Sequence, residues 1–322
     1  MVLGRETQLQ HDSFKRLAVF TLASLLLCLS MIMSMFTSFP IALATVIYGR
    51  AKGYSAMAIA WIASFAISFF ILRNPIMFAT YTCSVVVTVI CAELVLRNVR
   101  PIKGILIGGG TIVALVTGLF FATFNSLDMS PKEYLAQEIQ KNKGQFEKEL
   151  KDKPTDDAFK MLALLQKPEK MAEDIIKEAP GYLLMGSFLI VWANLFLLLK
   201  SKRTMLGAKL PYTDYDLLHF KNPDSLIWAV IVALALAVFG EEFHPEAPAI
   251  GMVALMGLGV FYFFQGFGLY LSFLNFLRIG GFLRTILVIL TVMMAAQVLA
   301  LFGLFDMFVN FRKFMKRKDQ GE

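Results

Sequence analysis

The run YSAMAIAWIASFAISFFIL, Tyr54 to Leu72, carries no charged residue and is long enough to cross the roughly 30 Å hydrocarbon layer of a bilayer as one helix. Within it Ala56, Ala60, Ser64 and Ser68 recur at every fourth position, which gathers small side chains on one helical face. In lipid there is no water to expel from between helices, so they associate where small residues let backbones approach. The stretch predicts a transmembrane helix with a contact ridge.

The whole chain has the same character. Of its 322 residues, 57% are hydrophobic and 17% charged, with 30 Phe and 17 Met. A soluble domain carries about 25% charged residues, so too few are present to coat an aqueous surface. The expected fold is all-α, a polytopic transmembrane helical bundle. Apolar runs, uncharged except for Glu93 and Lys103 near their ends, extend from Leu17 to Phe36, Pro40 to Tyr48, Tyr54 to Leu72, Ile76 to Leu96, Ile102 to Phe124, Tyr182 to Leu199, Leu226 to Phe239, Ile250 to Leu277 and Thr285 to Phe305. They amount to about 8 to 10 membrane segments by the length rule. The first run is too long for a signal peptide and lacks a small-x-small cleavage site, so it reads as retained.

Charge sets the orientation. Lys15/Arg16, Arg50/Lys52, Arg97/Arg100/Lys103 and Lys200/Lys202/Arg203/Lys209 share one side, the cytoplasm, if the short Pro40 to Tyr48 piece crosses. The N-terminus is then cytoplasmic. The 125–180 segment and the acidic turn Glu241-Glu242-Phe243-His244-Pro245-Glu246 fall outside. Arg278/Arg284 and the basic tail Arg312, Lys313, Lys316, Arg317, Lys318 cannot both face inward across one crossing. A break at Gln265-Gly266-Phe267-Gly268 would restore parity. The expected organisation is 1–124 N-terminal helices, 125–180 extracytoplasmic insert, 181–310 C-terminal helices and 311–322 tail, in a bacterial cytoplasmic (inner) membrane.

The net charge is +7, while the 125–180 insert alone holds 10 Lys against 12 Asp plus Glu. Lys and Arg lie in short groups between apolar runs, not on one folded face, so no nucleic-acid partner is expected. Gly104/Gly108 and Gly110/Ala114/Gly118 repeat the small-residue spacing, for packing within the bundle or against a partner. In the insert, Ser130-Pro131-Lys132-Glu133 is a capping box that starts a helix to about Lys141. Thr155-Asp156-Asp157 starts a second helix bearing Phe159 and Leu162, and Pro168 a third bearing Met171, Ile175 and Ile176. This amphipathic insert is a cap, a lid or a surface for an envelope protein.

No phosphate loop, nucleophile elbow, HExxH pair or paired-carboxylate helix occurs. Cys28, Cys83 and Cys91 form neither a zinc pattern nor a disulfide framework, and His11, His219 and His244 are scattered. No enzyme, metal or cofactor is expected. Ionisable groups near membrane depth are Glu93, with Arg97 four residues on, and Asp306, which could brace its helix end. Candidate cavity residues are the uncharged polar Asn194, Gln265, Asn275 and Gln297, with Trp61, Trp192 and Trp228 as apolar walls. Each alone serves equally to glue helices together.

Phe220-Lys221-Asn222-Pro223 with Trp228, then Tyr262-Phe263-Phe264-Gln265-Gly266, then Gly303-Leu304-Phe305-Asp306 leading to Asn310-Phe311-Arg312-Lys313, resemble the YybS-like family of uncharacterised bacterial membrane proteins. Phe39-Pro40 and Tyr48-Gly49-Arg50-Ala51-Lys52-Gly53 are similar too. That family is distantly similar to the substrate-binding subunits of energy-coupling-factor vitamin transporters, whose six-crossing architecture Leu17 to Leu199 matches. In those subunits an Ala-x-x-x-Ala patch on the first helix docks the transport scaffold. Here the spacing is Ala56/Ala60, on a later helix. The resemblance implies a non-enzymatic protein binding a small molecule or lipid in a bundle cavity. The alternative is a scaffolding protein with an envelope or membrane partner.

Overall fold

The computed structural model describes residues 2–30, 33–127, 129–151, 162, 165–201 and 214–316. Every regular element among them is helical: α1 Val2–Leu29, α2 Ser38–Tyr48, α3 Arg50–Ala66, α4 Pro75–Leu96, α5 Pro101–Leu127, α6 Pro131–Lys151, α7 Pro168–Lys200, α8 Asp214–Leu218, α9 Leu226–Phe239, α10 Ala247–Phe276, α11 Gly281–Val309 and α12 Phe311–Lys316. Among the described residues six helices are long and apolar enough to cross a membrane: α3 with its π-helical end to Ile71, most of α5, and α4, α7, α10 and α11. Helices α2 and α9, of 11 and 14 residues, are shorter than a crossing requires. The chain divides into two compact units, one of residues 1–112, 186–224 and 260–322, the other of 113–185 and 225–259.

The first unit is built around α2. At about 16 Å this helix reaches half of the hydrocarbon, yet Ser38, Pro40, Ile41, Ala42, Leu43, Ala44 and Thr45 are all buried. Its apolar residues run all round because α1, α3 and α4 enclose it. The sharp reversal into α3 falls at Gly49, whose φ of +86° suits glycine. Gly53 then lies against Thr45, where a Cβ would collide with backbone.

Along α3 and its π-helical end, Ala56, Ala60, Ser64 and Ser68 are each at most 4% exposed, whereas Ile59, Ile62 and Phe65 between them face outward. Ala60 packs with Leu25, Cys28, Met77 and Tyr81. Ser68 closes the turn into α4 by donating from its hydroxyl to the Asn74 carbonyl. Asn74 in turn accepts from Ile76 N at 2.9 Å, and Pro75 occupies the first turn where its missing N–H costs nothing. Because Ala60 has no free space, Ala60→Leu is expected to cost about 1–3 kcal/mol by overpacking. Thermal unfolding in detergent checks this: a melting temperature equal to wild type would mean that the ridge is not a tight contact.

On α5, Gly104 and Gly108 are buried against Leu94, Ile90, Val191 and Leu195, while Gly110, Ala114 and Gly118 are exposed. Helix α10 runs unbroken through Gln265–Gly268, so the break that would add a crossing there does not occur. Its glycines serve packing instead. Helix α11 is kinked at Ala295, whose φ/ψ of −135°/29° is not helical.

The second unit contains the insert. Ser130 and Glu133 cap α6 reciprocally, Glu133 N donating to Ser130 Oγ at 3.2 Å and Ser130 N to Glu133 Oε2 at 3.1 Å. The Ser130 backbone N–H, with the Ser130 hydroxyl beside it, holds the Glu133 carboxyl below the usual carboxylate range. The α6 helix continues ten residues past the expected end, to Lys151. The expected helix from Thr155, with Phe159, lies outside the described residues. Ile139, Leu165 and Ala172 form a small core with Leu135, Ala136, Leu162 and Met171. Lys132 Nζ bridges to Glu173 at 2.7 Å. The helix starting at Pro168 does not end before the apolar run: α7 passes through Pro180 to Lys200 as one element.

Candidate functional site

Three segments far apart in sequence meet in one buried polar cluster of the first unit. Gly266 on α10 and Gly303 on α11 lie where the two backbones touch. A Cβ on Gly266 would collide with the Leu299 carbonyl, and one on Gly303 with that of Tyr262. That approach lets Gln265 Nε2 donate to Asp306 Oδ2 at 3.1 Å. The other carboxylate oxygen, Oδ1, accepts from Phe311 N at 2.9 Å. Phe311 can turn back to it because Asn310, in the left-handed region with φ of 51°, reverses the chain between α11 and α12. Gln265 Oε1 accepts from Asn222 N at 3.0 Å, which brings in the Phe220-Lys221-Asn222-Pro223 link between α8 and α9. Arg312 donates to the Leu218 carbonyl at 3.3 Å and the Gln265 carbonyl at 3.5 Å, above Gly268, which packs on the Leu218 carbonyl.

Asp306 is 4% exposed, Gln265 0% and Asn222 2%. Gln265 and Asp306 have their polar atoms engaged. Asn222 does not: its side-chain Oδ1 and Nδ2 are buried and have no hydrogen-bond partner among the described residues. Such a group costs about 1–3 kcal/mol unless something else satisfies it. Beside the cluster stands a column of rings. Trp192 lies nearly parallel to Phe196 and Phe264, with centroids at 5.6 and 5.0 Å, and meets Phe267 edge-on at 5.1 Å. Phe264 also touches Phe220 edge-on at 6.4 Å. The Trp192 indole N–H is likewise buried and has no partner among the described residues.

The candidate cavity residues therefore divide. Gln265 belongs to this cluster. Asn194 lies in another: its Oδ1 accepts from Ser38 Oγ at 2.9 Å and its Nδ2 donates to the carbonyls of Met35 at 3.0 Å and Ile190 at 2.9 Å. Asn275 and Gln297 are exposed and join neither. Of the tryptophans, Trp192 is buried, Trp61 donates to Thr82 Oγ1 at 3.0 Å, and Trp228 is 68% exposed. Glu93 binds Arg97 Nε at 2.9 Å, and also receives Arg50 through Nε at 2.7 Å and NH2 at 3.0 Å, and the Tyr54 hydroxyl at 2.8 Å. Sequence reasoning singled out neither Asn222 nor Arg312 as binding residues, nor Arg50 or Tyr54 as partners of Glu93. The only sign of the first pair was their place in the motifs that carry the family resemblance. Among the described residues no group of His, Cys, Asp and Glu could hold a metal ion.

Six apolar helices and buried amide and carboxylate side chains paired between helices define a helical membrane protein. The chain belongs to the family described as predicted membrane protein (DUF2232), whose model matches residues 17–307. No curated protein and no solved structure matches it.

Proposed function

We propose that the chain is a non-enzymatic membrane protein that binds a small molecule or lipid within its helical bundle, at the Asn222 cluster. The observation carrying this is the buried Asn222 carboxamide, whose donor and acceptor are both unpaired among the described residues, beside the Trp192–Phe264 ring column. An amide next to aromatic faces suits a ligand that is planar or apolar over most of its surface with an adjacent donor and acceptor. The converging groups orient and hold; the Asp306 carboxylate is occupied by two N–H donors and is poorly placed to act as a base. It is the reading that the sequence resemblance to transporter substrate-binding subunits implies. It goes with a multi-pass arrangement in a bacterial inner membrane, in which a cytoplasmic N-terminus and an extracytoplasmic insert hold together only if the 11-residue α2 carries the chain back across a locally thinned bilayer.

Protein purified in mild detergent is expected to release a near-stoichiometric small molecule on denaturation, detected by mass spectrometry, and Asn222→Leu to release several-fold less. If wild type releases nothing and Asn222→Leu melts higher, the amide is only a strained core group and the proposal fails. A scaffolding role has its own support in the Gly110/Ala114/Gly118 face. Cβ atoms built on its two glycines meet nothing within 4 Å, so these positions have room for a close-packed partner helix.

A further inference from the structure

At one end of the first unit, α3 and α5 begin and α4 ends. Arg50 and Lys52 open α3, Arg97 follows α4, and Arg100 and Lys103 flank the start of α5; all five are exposed. The only carboxylate in 49–56 and 93–104 is Glu93, and it is saturated by the Arg50 fork, Arg97 Nε and the Tyr54 hydroxyl. It therefore pins two guanidinium planes without cancelling the charge of the group. The helix dipoles add to this. The N-termini of α3 and α5, each worth about half a positive charge, lie at this end. The opposing C-terminus of α4 is closed by Arg97, whose N–H bonds to the Glu93 carbonyl at 2.9 Å.

Directly beyond Lys103, Leu106 and Ile107 on α5 are 49% and 55% exposed, and Ile102 beside it is 39% exposed. A phosphate at the basic collar would thus have an apolar strip beside it running into the membrane. We propose that this collar binds the headgroup of an anionic phospholipid, with Arg97, Arg100 and Lys103 around the phosphate and one acyl chain along Ile102, Leu106 and Ile107. The strip is what selects a lipid over free phosphate. The site shares no residue with the Asn222 cluster, so it stands whatever binds there.

The test uses the full chain in a neutral detergent, dosed separately with phosphatidylglycerol, phosphatidylcholine or inorganic phosphate. Native mass spectrometry reads the bound lipid and thermal unfolding reads the stabilisation. Wild type should retain and be stabilised by phosphatidylglycerol. An Arg100→Gln/Lys103→Gln variant should bind it about fivefold more weakly for each charge removed. Lys15→Gln/Arg16→Gln, an exposed basic pair elsewhere, should behave as wild type. Because the substituted side chains are solvent-facing, both variants should melt as wild type without lipid. The proposal is overturned if phosphatidylcholine is retained equally, if inorganic phosphate gives the same stabilisation, or if the two variants lose lipid to the same extent.

Discussion

Gly303→Val is expected to lower stability by about 3 kcal/mol or more, the upper range for a substitution that inserts bulk into a packed interior. The obstacle that a Cβ would meet is the Tyr262 carbonyl, part of a helix backbone, which cannot rotate aside as a side chain would. Helices α10 and α11 would have to separate, and any separation pulls Gln265 from Asp306, now 3.1 Å apart. Gly266→Val should behave likewise through the Leu299 carbonyl. Gly118→Val supplies the control, since a Cβ there meets nothing within 4 Å. Its change should stay within about 0.5 kcal/mol. Thermal unfolding in detergent, with limited proteolysis as a second readout, separates the cases. Equal melting temperatures for Gly303→Val and Gly118→Val would show that the crossing is looser than the structure has it.

Asp306→Asn, nearly isosteric, is expected to cost about 2 kcal/mol. The carboxylate accepts on both oxygens, from Gln265 Nε2 and Phe311 N. An asparagine has a single acceptor oxygen, so in either orientation its NH2 faces another donor. Turning Gln265 over does not help, because its Nε2 would then face Asn222 N, which now donates to Oε1 at 3.0 Å. Asp306 thus fixes the direction of hydrogen bonding along the whole chain of groups from α12 to the α8–α9 link. A double-mutant cycle checks this: in a Gln265→Met background the penalty of Asp306→Asn should shrink by about half or more. An unchanged penalty would locate the cost at Phe311 alone.

These features differ in how visible they are in the sequence. The ridge Ala56, Ala60, Ser64, Ser68 can be found from its period, because small residues at every fourth position share a face and that face is the buried one. Glu93 with Arg97 is visible as neighbours one turn apart. Arg50 and Tyr54 are not, lying 43 and 39 residues from Glu93, where only the antiparallel return of α4 along α3 brings them together. Among polar residues in the apolar helices, Gln265 is buried and Gln297 exposed, yet nothing along α10 or α11 distinguishes them. Lipid and protein interior are equally apolar, so a membrane helix has no polar face to mark its outside. The end of α6 falls beyond the expected one. The chain runs past Lys141 through Gly144, where a Cβ would meet nothing within 4 Å, and stays helical to Lys151. Asn222 lies in a short link whose importance depends on residues 43 and 84 positions further on.

The half-length helix α2 bears on how this chain is made. A segment of 11 residues is too short to be recognised as a stop by the insertion machinery, so it has to enter the bilayer as a hairpin with a longer neighbour. Its polar leading end is held partly by groups already synthesised or soon to follow: Ser24 Oγ donates to the Thr37 carbonyl at 2.8 Å, and Thr88 Oγ1 to that of Ser38 at 3.4 Å. The Ser38 hydroxyl, however, waits for Asn194, 156 residues later. Until α7 has been made, the Ser38 hydroxyl lacks its Asn194 acceptor, so the buried end of α2 is completed only late in synthesis.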